Sequence, residues 1–270
     1  MREKMLNIGN KKWFSAVFWI LLLLIIWEIS AIVVANTKRI PENILPHLYQ
    51  IIMAAFSGEK VSGELSASQA VLTSAGQTLL RGFLGFILGG VIGFVFALLM
   101  KMSNLLGKML FPYLMLIQLI PVLGLAPIIL SITGDINVSR VVIAAILSFY
   151  PVATNTLYGF KSVEKEKYDL MYIYAAKKHE IYQKVLIPAA MPYFFIGLKI
   201  AAPMAVTASI LVDTLQGDGG LGCLLSQSLK HAMSIYTFWL IVFFSAFIGI
   251  IISKIIGLIE TAVSPWKRRP

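Results

Sequence analysis

The stretch Tyr168–Pro192, YDLMYIYAAKKHEIYQKVLIPAAMP, holds five charged side chains, a histidine and two prolines between apolar runs long enough to cross a bilayer. Leu170, Ile173 and Tyr174 fall at i, i+3 and i+4, and Ile181 and Val185 repeat the i, i+4 step. That spacing gives one or two short amphipathic helices, with Pro188 and Pro192 ending the segment. Such a helix either lies on a lipid surface or fills a groove in a soluble partner. Tyrosines among charges of both signs suit a groove better than lipid. Chemistry of the bond-making kind has no such support. His47, His179 and His231 fall in loops, Cys223 is the one cysteine, and no Ser/His/Asp set or metal-spaced Cys/His cluster exists. No G-x-x-x-x-G-K-[ST] phosphate loop is present; Gly107-Lys108 lacks the upstream glycine and the hydroxyl. The chain is therefore expected to be no enzyme and to hold neither nucleotide nor metal itself.

The elements that must position this segment are membrane spans. Of 270 residues, 58% are hydrophobic and 13% charged, with a mean hydropathy of +0.82. A soluble domain carries about 25% charged residues, and here the apolar excess lies in long runs. A span needs roughly 20 apolar residues. Six segments qualify: 14–35, 79–100, 110–132, 138–159, 193–212 and 235–258. The first is too long for a cleaved signal and reads as an uncleaved span. With the N-terminus inside, fifteen Lys and Arg fall in cytoplasmic segments against five outside, Arg140 among the five. The bias places both termini and the polar segment in the cytoplasm. The expected fold is an all-α membrane protein of six transmembrane helices with cytoplasmic helices between the fourth and fifth. Its parts are a tail at 1–13, the first span at 14–35, an external loop at 36–78, a core at 79–262 containing the polar segment 161–192, and a basic tail at 263–270. The net charge of +10 then faces anionic membrane lipid, not nucleic acid.

The spans are not plain apolar rods. Gly85, Gly89 and Gly93 recur every four residues in the second and let another helix approach closely. The third carries Pro112, Pro121, Gly124 and Pro127 and reads as a bent, pathway-lining helix. Arg81 at the outer end of the second span either meets an anionic substrate or extends to the headgroups, the second reading being preferred. Lys199 is expected to reach toward cytoplasmic lipid, Glu28 to pair with another helix, and Asp213 to serve structure or gating. Gln118, Asn155, Thr207 and Ser209 are mid-span polar groups able to bond substrate or neighbouring helices.

The polar segment resembles the EAA loop of ABC-importer permeases, whose pattern is E-A-A, three residues, G, nine residues, I-x-L-P. Val185-Leu186-Ile187-Pro188 matches I-x-L-P. Without a gap, Ala175 then stands at the glycine and Asp169, Leu170 and Met171 at E-A-A. Alanine there would straighten the turn between the two short helices. TLLRGFLGF at Thr78–Phe86, PVLGLAPIIL at Pro121–Leu130, YPVATNTLYGF at Tyr150–Phe160, FIGLK at Phe195–Lys199 and the GLG of Gly220–Gly222 also resemble the family, most nearly its nitrate/sulfonate/taurine branch.

The resemblance implies an importer subunit of the bacterial inner membrane that forms the translocation pathway for a small solute. Sulfonates, taurine, nitrate and vitamin precursors are the substrate types of that branch. It implies three partners: a cytosolic ABC ATPase dimer holding ATP and Mg, a second permease copy, and an extracytoplasmic substrate-binding protein. It makes Asp169, Leu170, Met171, Ile173, Tyr174, Ala175, Ala176, Ile181, Val185 and Pro188 the ATPase-coupling set. It also makes Gln118, Pro121, Met204, Thr207 and Ser209 candidates for the pathway. The alternative is a stand-alone ion-coupled secondary transporter, which would want paired acids at mid-membrane or inverted repeats; only Glu28 reads as a deep acid, and no repeat is visible.

Overall fold

The structure, a computed structural model, describes residues 2–39, 41, 44–58, 60–62, 64–216, 219–230 and 235–264. His231 and the basic tail from 265 onward lie outside them. In chain order the elements are α1 (Arg2–Thr37), α2 (Leu48–Phe56), β1 (Lys60–Ser62), β2 (Leu65–Ser66), α3 (Ala67–Met102), α4 (Asn104–Leu119) and α5 (Val122–Thr133). Then come α6 (Ile136–Lys161), α7 (Lys165–Ile173), α8 (Lys178–Ile181), a π-turn at Tyr182–Leu186, α9 (Ile187–Gln216), α10 (Leu221–Lys230) and α11 (Ile235–Val263). Among the described residues, five helices are long and apolar enough to cross a membrane, and the pair α4–α5 makes a sixth candidate.

The chain forms two compact units, one of residues 1–71 with 227–240, the other of 72–226 with 241–270. In the first, Glu28 finds its partner outside the spans: His47 Nδ1 lies 2.6 Å from Glu28 Oε1. Trp27 Nε1 donates to the Pro46 carbonyl at 3.1 Å, and the Trp27 ring meets Trp239 edge-on at 4.7 Å. β1 and β2 pair antiparallel, Lys60 opposite Ser66. α3 begins at Ala67, within the segment 36–78 expected outside the membrane.

In the second unit α3 lies against α6 along the glycine stripe. A Cβ on Gly85 would come within 2.7 Å of the Val141 carbonyl, and one on Gly93 within 2.9 Å of that of Phe149. α6 and α9 form an antiparallel hairpin with equally close contacts, Gly159 on Ala190 and Gly197 on Val152. Ala97, Leu114, Phe149, Phe160 and Leu186 build a core where α3, α4 and this hairpin meet.

The third expected span is not one bent helix. α4 and α5 meet at 110°. Pro121 disfavours helical backbone for the residue before it, and Ile120 is extended at φ −73°, ψ 125°. At the other end, Pro188 and Pro192 do not end the polar segment. The π-turn shifts the hydrogen-bond register, Ile187 N–H donating to the Tyr182 carbonyl. Pro188 follows directly, early in α9, and the helix runs on without a break through Pro192 and Pro203.

Candidate functional site

Among the described residues of the second unit, polar groups gather at each end of the α6–α9 hairpin. At one end is the connection between those helices. α7 ends in a Schellman motif: Ala176 N–H donates to the Met171 carbonyl at 3.0 Å and Ala175 N–H to that of Tyr172 at 2.9 Å. The motif needs a left-handed residue just past the cap, and Ala175 supplies it at φ 48°. The expectation that alanine straightens this turn is therefore incorrect; the two capping bonds hold the bend without glycine. α8 follows, its start capped by the Glu180 carboxylate, which accepts from the Lys177 N–H at 2.8 Å.

The turn carries an exposed apolar tip. Leu170 is 53% exposed, Tyr172 85%, Ile173 78% and Tyr174 75%. Asp169 and Ala175 are exposed beside them, and Met171 and Ala176 are half-buried. Ile181 instead packs on the core, as does Leu186, and Val185 and Pro188 are half-buried. Lys101 at the end of α3 stands over the Tyr168 ring at 5.5 Å, and Lys161 at the end of α6 over Phe111 at 5.6 Å.

At the other end is a buried ion cluster. Arg140 Nε lies 2.9 Å from Asp213 Oδ1, both side chains 0% exposed. Thr78 Oγ1 donates to Asp213 Oδ2 at 2.7 Å and accepts from the Leu221 N–H at 2.8 Å. Gly222 N–H also donates to Asp213. Asp213 thus satisfies the first turn of α10, whose N–H groups have no intrahelical acceptor. A Cβ on Gly222 would lie 2.7 Å from that of Asp213, so only glycine lets α10 start there. Arg81 Nη1 completes the cluster at 3.5 Å from Asp213 Oδ1.

The cluster corrects several sequence expectations. Arg81 is not without a protein partner, reaching Asp213 at 3.5 Å, and Arg140 is not a loop charge but sits in the second turn of α6. Lys199 pairs with Glu260 of α11 instead of reaching for lipid. Glu260, Thr78 and Arg140 went unrecognised as site residues. Asp135 caps α6 by accepting from the Val138 N–H at 2.9 Å; a capping residue five positions before Arg140 was the available signal.

The proposed pathway residues do not converge in one chain. Gln118 and Pro121 are exposed at the α4–α5 break. Met204 and Thr207 are exposed on α9, and Thr207 lines an open cavity of about 620 Å³ with Lys199, Pro203, Ser245 and Gly249. Ser209 is buried, its hydroxyl donating to the Thr78 carbonyl at 3.1 Å, and so faces α3 rather than open space. Asn155 donates to the Pro151 carbonyl of its own helix at 2.7 Å.

Residues 85–269 match the family model described as binding-protein-dependent transport system inner membrane component. The chain belongs to this family. It is a transmembrane permease of the ABC transporter class. Among its relatives is a formylaminopyrimidine transport permease protein, ThiX, of Halalkalibacterium halodurans, 29% identical over 92% of this chain and 94% of that protein. Another is the aliphatic sulfonates transport permease SsuC of Bacillus subtilis, 23% identical over 96% and 90%. A nitrate import permease, NrtB, of Synechococcus elongatus is 28% identical over 70% and 66%. A crystal structure of an amino acid ABC transporter with histidines shares the fold, with a TM-score of 0.62 and 21% identity over 72% of this chain and 94% of that one. The family match takes in the α4–α5 break, the exposed tip, Arg140 and Asp213, and begins after α1, α2, Thr78 and Arg81.

Proposed function

We propose that the permease is the membrane subunit of an ABC importer, and that the α7–α8 turn is its docking element for a cytosolic ATPase dimer. The observation that carries this is the exposed tip of Leu170, Tyr172, Ile173 and Tyr174, built on a capped turn and joined directly to two long helices. Four large apolar side chains on a short polar helix suit a hydrophobic groove. The ATPase binds ATP and Mg; this chain transmits their effect. Lys101, Lys108, Lys161, Lys165, Lys167 and Lys177 all stand near the same end of the bundle, which supports a cytoplasmic location for that end and, with it, for both termini. Residence in a bacterial inner membrane follows from this role.

The α6–α9 hairpin links that end to the ion cluster. From Lys161 back to Arg140, at ~1.5 Å per residue, is roughly 32 Å, close to the ~30 Å of a hydrocarbon core. A push at the tip is thereby delivered to the α9–α10 junction on the far side. A second copy of the permease completes the pathway, since Gln118, Pro121, Met204 and Thr207 face open space in one chain, and an extracytoplasmic binding protein delivers substrate. The named relatives support a small solute of the nitrate, sulfonate or pyrimidine-precursor type.

Co-expression with the cognate ATPase tests the reading. Replacing Leu170, Met171 and Ala175 with Asp is expected to abolish co-purification of the ATPase while the spans still insert. Unchanged association contradicts docking at this turn, and ion-driven uptake by the permease alone in ATP-free vesicles favours a secondary transporter.

A further inference from the structure

Between α3 and α6, away from the exposed tip, runs a groove of about 540 Å³. Its lining is sorted by polarity. Gln77, Arg81 and Asn137 occupy one end, and Leu84, Leu88 and Val141 belong to a wall that is aliphatic throughout. The sorting follows from helix direction: Gly85 approaches Val141, and Gly93 approaches Phe149 and Val152, so α3 and α6 run parallel and their early residues share one end. From Gln77 to Leu88 the groove extends roughly 16 Å along α3.

All three polar groups can donate hydrogen bonds, and one is a cation. Arg81 is only partly committed. Its side chain is 15% exposed, and it reaches Asp213 at 3.5 Å, whereas Asp213 already takes Arg140 at 2.9 Å and Thr78 at 2.7 Å. A guanidinium flanked by two amides presents donors to an acceptor-only anion, and a phosphodiester is such a group. The aliphatic wall below offers nothing for a second polar group and accommodates a hydrocarbon chain. We propose that this groove is a binding site for an anionic phospholipid, its phosphate on Arg81, Gln77 and Asn137 and one acyl chain along Leu84, Leu88 and Val141. Charge complementarity at one end and the purely aliphatic wall select a lipid over a protein helix. The bound lipid stands beside the Arg81–Asp213 contact, so membrane composition bears on the α9–α10 junction.

The test uses the full chain, purified in detergent, delipidated and offered dioleoyl phosphatidylglycerol or dioleoyl phosphatidylcholine, with retained lipid counted by native mass spectrometry. One phosphatidylglycerol is expected to be retained with a preference of about five-fold, the worth of one cation at a membrane surface. Arg81→Lys keeps the preference and Arg81→Gln loses it. Leu84→Trp fills the groove while leaving Arg81 in place, and is expected to release the lipid. Equal retention of the two lipids by the unaltered chain overturns the proposal, whatever the variants do. So does competition by soluble glycerol phosphate at equal concentration, which marks an anion site without a lipid. If Leu84→Trp instead splits a dimer and leaves lipid retention unchanged, the groove is an interface between copies and the proposal fails.

Discussion

Arg140 Nε lies 2.9 Å from Asp213 Oδ1 with neither side chain exposed, and this contact closes the α6–α9 hairpin at the end opposite its exposed turn. The carboxylate also holds Thr78 at 2.7 Å and, through the Thr78 hydroxyl, the first N–H of α10. Four helices therefore meet at one acid. Removing one partner from a buried pair strands the other charge, which costs about 3–5 kcal/mol. Asp213→Asn is expected to lower the thermal unfolding midpoint in detergent by several degrees. Asp213→Asn combined with Arg140→Leu recovers more than half of that loss, because the stranded cation is gone. A midpoint unmoved by the single substitution would show that the pair adds nothing to stability.

The helix packing makes a paired prediction at two glycines of α3. A Cβ on Gly89 would stand 2.7 Å from that of Ser148, whereas one on Gly76 meets nothing within 4 Å. Gly89→Ala has to push α3 from α6 and is expected to cost about 1–3 kcal/mol. Gly76→Ala is expected to stabilise by about 0.5–1 kcal/mol, since alanine loses less backbone entropy in a helix. Unfolding midpoints of the two variants, measured side by side, check the sign as well as the size.

Ala175 pays for its left-handed backbone, φ 48°, without side-chain packing in return, as it is exposed. Ala175→Gly relieves that strain, roughly 1–2 kcal/mol, and keeps the Schellman bonds. It is expected to leave transport-coupled ATP hydrolysis intact or raised. Ala175→Val puts a β-branched side chain in the same conformation and is expected to disorder the turn and reduce coupled hydrolysis at least ten-fold. Equal rates for the Gly and Val variants would show that the bend plays no part in coupling.

The spans were legible in the sequence because each is a long apolar run, and the glycine stripe because i, i+4 spacing survives without knowing the partner. The segment around Ala175 was legible from its polarity and its flanks. What escaped depends on pairs far apart in the chain. Thr78 and Asp213 are separated by 135 positions, and Lys199 and Glu260 by 61. Arg81, Arg140 and Lys199 each read singly as a charge near a membrane surface, for which open solvent or headgroups are the ordinary destination; only the fold supplies their carboxylates. The break at Ile120 was half visible. Three prolines signalled distortion, but not that Pro121 would turn the chain by 110°. Ala175 was misread because the left-handed residue was inferred from side-chain identity, while the conformation is fixed by the capping bonds around it.

The proposed contact between the exposed tip of α7 and an ATPase is tested most directly by site-directed cross-linking. The one native cysteine, Cys223, is buried, so Ile173→Cys, at a position 78% exposed, introduces a single accessible thiol. Treated with a short bifunctional thiol- and amine-reactive reagent in membranes containing the co-expressed ATPase, this variant is expected to give one cross-linked product of permease plus ATPase. The same reagent on Leu215→Cys, 52% exposed on α9 two residues beyond Asp213 at the other end of the hairpin, is expected to give none. A product from Leu215→Cys with none from Ile173→Cys would contradict docking at this turn.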